Sequence, residues 1–215
     1  MSHRQTGPET MSHAKNVAFF DVDHALVTCR ILTSFFDSET DADERDHYRV
    51  LAGRSVMEVA AAGEAWFERK LGTRHLFHRP LLRAFDRHRN MGHLTVLMSS
   101  AFSACLDPIA EYVGADVVLG SVPEAVGDRY TGRLLKFRDG AGKAEATREL
   151  LANTGIPRTL AHAYGSHSSD FEMMSTVDNP VVVGSDPVLA DMVRFHSWRW
   201  VRGIEDMVTA SDRRG

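Results

Sequence analysis

Short apolar runs recur along the chain, and several close on small or polar residues. Asn16–Phe20 is followed by Asp21, Leu94–Met98 by Ser99 and Ser100, and Thr159–Tyr164 by Gly165. Asp116–Leu119 and Pro180–Gly184 are two more. Short continuous apolar runs of this kind predict strands buried on both faces. Helical patterns separate most of them, over Pro80–Asn90, Phe102–Val113, Ala141–Asn153 and Ser168–Val177. This alternation predicts an α/β fold, a parallel sheet with helices on both sides. Such sheets bind ligands beyond the carboxyl ends of their strands, which is where Asp21, Ser99 and Gly165 fall.

The stretch from Thr33 to Arg79 breaks the alternation. It carries a charged segment, Asp41–Arg49, and an Ala-rich helical pattern, Ser55–Lys70, with Val56, Val59, Trp66 and Phe67. A lobe of about 45 residues is too small to fold alone, so its expected place is over the carboxyl edge of the sheet, as a cap. The expected division is a core of residues 14–32 and 80–208 and a helical cap of 33–79. Met57, Trp66 and Phe67 are expected in the cap's own core. Asp128–Phe137, with Gly132 at its centre, predicts a strand–turn–strand hairpin. Trp198 and Trp200 are expected to pack the last helix or strand against the sheet, and polar Thr209–Gly215 to fray.

Composition adds boundaries. The 215 residues are 43% hydrophobic and 25% charged, which suits one soluble core plus a small lobe. No apolar run approaches the ~20 residues of a membrane helix, and Met1–Thr10 lacks the apolar segment of a secretory leader. A net charge of -4 argues against a protein built to grip nucleic acid. Two cysteines, Cys29 and Cys105, make no disulfide framework or four-thiolate metal site, so a reducing cytoplasm is the expected setting. The 11 histidines are scattered, with no HExxH or CxxC pattern. The lysines are Lys15, Lys70, Lys136 and Lys143 alone.

Four strand-end segments carry chemistry. Asp21 and Asp23 can surround one cation and one incoming phosphate, and a carboxylate beside a divalent cation can attack phosphorus; the same pair also suits a turn cap. Ser99 and Ser100 suit a phosphoryl oxygen or a helix cap. Lys143 opens a helix, where its charge opposes the dipole. That favours an inward role beside an anion, though an exposed lysine accounts for it equally. The approach Asp139–Lys143 lacks the GxxxxGK[ST] spacing of a P-loop. Gly165–Asp170 crowds Ser166, His167, Ser168 and Ser169 into a turn. There Asp170 can ligate a metal, directly or through water, or orient Lys143, or simply favour a helix dipole.

Taken together on one sheet edge, these segments resemble the haloacid dehalogenase-like (HAD) superfamily, over Val17 to about Arg202. The resemblance is to the branch of phosphoserine phosphatase-like enzymes with a small helical cap after the first strand. It implies a Rossmann-like three-layer core. The motif DxDx[T/V] matches Asp21–Ala25, which implies Asp21 as a nucleophile forming an aspartyl-phosphate and Asp23 as general acid/base. The second motif's serine falls on Ser99, the third motif's lysine on Lys143 with Tyr130–Gly132 upstream, and GDxxxD on Gly165–Asp170. Asn179–Pro187 is similar to the family's closing strand and turn. The implied metal is Mg²⁺, held by Asp21, Asp23 and Asp170; Ser100, Arg30 and His167 are the implied substrate contacts. Two positions depart from the pattern. Ser166 replaces an aspartate that ligates Mg²⁺ directly, which weakens the site, and Ala25 replaces the usual threonine. The expected function is a metal-dependent phosphomonoesterase acting on a small, anionic organic phosphate. Alternatives are an atypical biosynthetic enzyme acting on a non-phosphate substrate or transferring a group, and a non-catalytic binding or regulatory protein. No nucleic acid or membrane partner is expected; a homodimer is compatible with the pattern.

Overall fold

A computed structural model describes residues 14–38, 43–73 and 75–204. Met1–Thr10, Thr209–Gly215, the beginning of Asp41–Arg49 and the end of the expected 80–208 segment lie outside the described residues.

Seven strands form one sheet in the order β4-β3-β2-β1-β5-β6-β7. They are β1 (Val17–Asp21), β2 (Leu94–Phe102), β3 (Val117–Val126), β4 (Arg129–Lys136), β5 (Ala161–Gly165), β6 (Asn179–Val183) and β7 (Arg199–Val201). All neighbours run parallel except β3 and β4. β1 lies at the centre, between β2 and β5, and all five of its residues are buried. This is why β1 reads as an unbroken apolar run: alternate side chains enter two different cores. Ala18 and Phe20 join Phe85, Leu97, Ile109 and Tyr164 on one face. Val17 and Phe19 join Val96, Leu150, Ala163, Met173 and Leu189 on the other. The first face is covered by α4 (Arg79–Asn90) and α5 (Ser103–Val113). The second is covered by α6 (Gly140–Thr154), α7 (Phe171–Met174) and α8 (Pro187–His196). The result is the expected three-layer α/β architecture.

Between β1 and α4 the chain forms three helices, α1 (Ile31–Phe36), α2 (Asp46–Arg49) and α3 (Val56–Leu71). They are welded to the sheet layer. Tyr48 is fully buried and donates its hydroxyl to the Ser100 carbonyl. Trp66 is buried, whereas Met57 is exposed. On α3, Gly63 lies so close to α5 that a Cβ there would stand 1.8 Å from the Ala104 carbonyl oxygen. The helical segment also touches the β3–β4 hairpin: Gly53 N–H donates to the Tyr130 carbonyl, and Tyr130 N–H to that of Arg54.

That hairpin differs from its expected form. Its turn falls at Gly127, at φ 63°, because β3 continues well beyond Leu119 and supplies the first arm. Gly132 sits inside β4 at φ 84°, where a Cβ would meet the Ala52 Cβ at 3.0 Å and the Arg49 carbonyl at 3.3 Å. The glycine therefore admits the helical segment rather than making the turn. A second correction concerns the tryptophans. Trp198 stacks on Phe171 with ring centroids 5.9 Å apart. Trp200 instead stays 48% exposed on the edge strand β7, its indole N–H donating to the Gly184 carbonyl at 2.6 Å. No helix among the described residues is long and apolar enough to cross a membrane.

Candidate active site

The carboxyl ends of β1 and β5 and the start of α6 meet at a cavity of about 570 Å³. Its lining includes Asp21, Asp23, Lys143, Ser166 and Asp170. At its floor, Lys143 Nζ lies 2.6 Å from Asp21 Oδ1 and 2.7 Å from Asp170 Oδ1. All three side chains are buried. Two glycines let the lysine reach so far in. A Cβ on Gly140 would stand 2.5 Å from the Ser169 carbonyl oxygen, and one on Gly142 2.2 Å from that of Phe137. Asp139 caps α6 through the Gly142 N–H at 3.0 Å. The first turn of α6 thus presses against the turn after β5, and two carboxylates offset the conflict between Lys143 and the helix dipole.

Asp21 ends β1, and the chain then leaves the sheet in a wide turn over Val22–Leu26, with His24 at φ 51°. The turn rotates Asp23 out of register with Asp21. Its Oδ2 accepts from Ser99 Oγ at 2.6 Å and its Oδ1 from the Ile31 N–H at 2.7 Å. Its carbonyl oxygen accepts from Ser166 Oγ at 3.3 Å. Asp170 closes the set: Oδ2 accepts from the Ser166 N–H at 2.9 Å and the His167 N–H at 3.3 Å.

Electrostatics follow from this crowding. Burial, then the charge of Asp170, pushes the Asp21 carboxyl well above the usual range against the pull of Lys143. Burial also raises Asp23, with Ser99 and the Ile31 N–H pulling it back. Lys143 is driven upward by Asp170 and Asp21, which outweigh its burial, so it stays charged. One lysine faces three carboxylates, an excess of negative charge that a cation would relieve. The donors fit Mg²⁺ in kind, since Asp21, the Asp23 carbonyl, Ser166 Oγ and Asp170 all offer oxygen. Two adjacent oxygens on an octahedral Mg²⁺ stand about 3 Å apart, close to the 3.3 Å between Ser166 Oγ and the Asp23 carbonyl. Ser166 gives this set a hydroxyl where a carboxylate would add charge, and Asp170 is already held at both oxygens.

Most residues singled out in the sequence converge here. Asp21, Asp23, Arg30, Ser100, Lys143, His167 and Asp170 line the cavity. Ser99 does not. It is fully buried, donates to Asp23 and accepts from the Ala101 N–H at 2.9 Å. It donates to the acid/base candidate Asp23, while Ser100 takes the cavity side, because adjacent residues of an extended strand point opposite ways. His167 caps the turn before α7, its Nδ1 accepting from the Ser169 N–H at 3.2 Å. Arg138 was not anticipated. It lines the cavity while 6% exposed, donates from Nη1 to the Gly142 carbonyl, and has no partner for its Nε. Its signal in the sequence is its place just before the Asp139 cap. At the rim, Arg30 pairs with Glu44 at 3.7 Å, and Arg45 with Asp139 at 3.2 Å.

Comparison with known proteins bears on the family and the fold. A family model described as haloacid dehalogenase-like hydrolase matches residues 18–175. The phosphoserine phosphatase SerB1 of Mycobacterium tuberculosis is 29% identical over 182 residues, which are 81% of this chain and 56% of that protein. The chain thus spans little more than half the length of that curated relative. Among solved structures, a protein of unknown function from Bordetella pertussis Tohama I superposes with a TM-score of 0.73 at 20% identity, covering 87% of this chain and 98% of that one. A phospho-aspartyl intermediate analogue of phosphoserine phosphatase gives 0.62 at 14% identity, covering 92% and 99%. At these identities the two structures speak for the fold.

Proposed function

The chain belongs to the haloacid dehalogenase-like hydrolase family, and we propose that it is a phosphomonoesterase working on a small organic phosphate in the cavity at β1 and β5. The observation that carries this reading is the buried bridge from Lys143 to both Asp21 and Asp170. A structural ion pair needs one carboxylate; two carboxylates around one lysine, open to a cavity, suit a site that receives an anion with its counter-cation.

In this reading an Asp21 oxygen attacks phosphorus, forming an aspartyl-phosphate as the bond from phosphorus to the leaving oxygen breaks. Asp23 gives its proton to that oxygen. Burial shifts Asp23 toward its protonated form, the direction a general acid needs. Asp23 then takes a proton from water, whose oxygen attacks phosphorus and breaks the bond to Asp21, releasing phosphate. Ser99 fixes the orientation of Asp23, and Lys143 steadies Asp21 and the phosphoryl oxygens. Mg²⁺ is the proposed cofactor: Asp21, the Asp23 carbonyl and Asp170 would hold it with Ser166 as a neutral donor, and it would supply charge neutralisation at the phosphate. Arg30 and Arg138, both on the cavity wall, favour a substrate with a further anionic group.

Residues 14–32 and 80–208 are proposed as the core and 33–79 as a cap. The rim pairs Arg30–Glu44 and Arg45–Asp139 support a cap that helps exclude water from the cavity. The test is phosphate release from a broad panel of phosphomonoesters, with and without Mg²⁺. Asp21→Asn is expected to lower turnover by roughly 10³-fold or more. No release from any member, or release undiminished in Asp21→Asn, would overturn the reading.

A further inference from the structure

Histidines that are scattered in the sequence gather at one place far from the cavity. His88 lies in the last turn of α4, His93 in the turn before β2, and His162 is the second residue of β5. His162 pairs with Ala18 at the beginning of β1, so the cluster occupies the amino-terminal edge of the parallel strands, opposite Asp21. One nitrogen from each ring lies within 4.8 Å of the others. The cluster is built, not incidental. His88 is 5% exposed, with its Nε2 2.9 Å from the Tyr164 hydroxyl and its Nδ1 2.8 Å from His93 Nδ1. Tyr164 in turn stacks on Phe20, ring centroids 4.5 Å apart and planes 3° from parallel. With its proton on Nε2, held by the Tyr164 hydroxyl, His88 turns the Nδ1 lone pair toward the group as metal-binding histidines do. His93 Nδ1 then donates to it, and loading a metal moves the His93 proton to Nε2.

We propose that His88, His93 and His162 form a binding site for one divalent transition-metal ion of the Zn²⁺ class, with water or a small anion as fourth ligand. Three imidazole nitrogens favour Zn²⁺, Co²⁺, Ni²⁺ or Cu²⁺ over hard Mg²⁺, so this site does not compete for the cation of the cavity. Nitrogens at about 2.0–2.1 Å from a tetrahedral Zn²⁺ stand about 3.3 Å apart. The His88–His93 pair must open slightly and the widest separation must close, both by small ring movements. Burial keeps His88 and His162 neutral, the form a metal takes. Two cations face the cluster: Arg87, and Arg199 with its Nη2 3.1 Å from His162 Nδ1. A guanidinium only donates, so Arg199 occupies that lone pair. Loading uses Nε2 of His162 or displaces Arg199, whose edge strand is exposed, and the two positive charges favour an anion as fourth ligand. The ion would tie the α4–β2 junction to β5, joining two segments about 70 residues apart in the chain.

Co²⁺ tests this with the full chain, in excess Mg²⁺ to fill oxygen sites. The wild type is expected to bind one Co²⁺ with the visible absorption of a four-coordinate centre, and Zn²⁺ should abolish the band. The double variant His93→Gln/His162→Gln should lose the band and bind at least tenfold more weakly. Metal-free melting curves would show that it still folds, and Zn²⁺ should raise the melting temperature of the wild type alone. Absence of the band from the wild type, or equal uptake by the double variant, overturns the assignment.

Discussion

At the scale of single residues, Ser166 is the position that tests the proposed Mg²⁺ site. Its hydroxyl sits 3.3 Å from the Asp23 carbonyl, in position to bind but without charge. Ser166→Asp is therefore expected to lower the Mg²⁺ concentration for half-maximal phosphate release by tenfold or more. Titrating Mg²⁺ against activity in both forms checks this. Ser99 acts through its neighbour. Ser99→Ala removes the hydrogen bond that holds Asp23, so turnover should fall roughly 10–100-fold with little change in KM. The alkaline limb of the pH profile should rise as well, since Ser99 pulls the Asp23 pKa down. The sequence displayed both Ser99 and Ser100 but not which of them faces the cavity, because side-chain direction on a strand flips with each residue and depends on where the strand ends. Arg138 was hidden for a different reason: a place just before the Asp139 cap is too common a setting to single out one arginine, and its meaning comes from burial beside the cavity.

At the scale of elements, close approaches set the geometry. The contact of α3 with α5 at Gly63 leaves no space for a side chain. Gly63→Ala is expected to destabilise the fold by about 1–3 kcal/mol, as chemical denaturation would show, since the obstructing atoms are backbone and cannot rotate away. The central strands β1, β2 and β5 were legible because burial on both faces writes itself as apolar runs. The hairpin was legible in kind but not in place. Gly132 looked like a turn because glycine marks turns, whereas here it marks a contact with Ala52 and Arg49 from a segment far away in sequence. The histidine cluster escaped notice for the same reason, as residues 88, 93 and 162 meet only once α4 lies on the sheet.

For the molecule as a whole, buried ionisable groups set the response to acid. Burial holds His88 down to about 3 and His162 to about 4, below the ordinary 6.5. Between these values the unfolded chain takes up protons that the folded chain refuses, so their contribution to stability is present above pH 6.5 and is lost as pH falls toward 4. Asp21 and Asp23 have the opposite sign, because the folded state keeps their protons to higher pH and is penalised for their ionisation. His162→Gln is expected to flatten the fall in melting temperature between pH 6.5 and 4. Asp21→Asn should raise the melting temperature at pH 7 by a few degrees even as it removes turnover. Thermal melts across pH would show both.

Trp200 turns the cavity into something that can be watched. Its indole is fastened to the Gly184 carbonyl, and Gly184 is part of the cavity wall. Trp66 is sealed inside and Trp198 lies against Phe171, so Trp200 is the half-exposed fluorophore positioned to sense a ligand at the rim. Native emission, with no added dye, can then report occupancy in the stopped-flow before any product has formed.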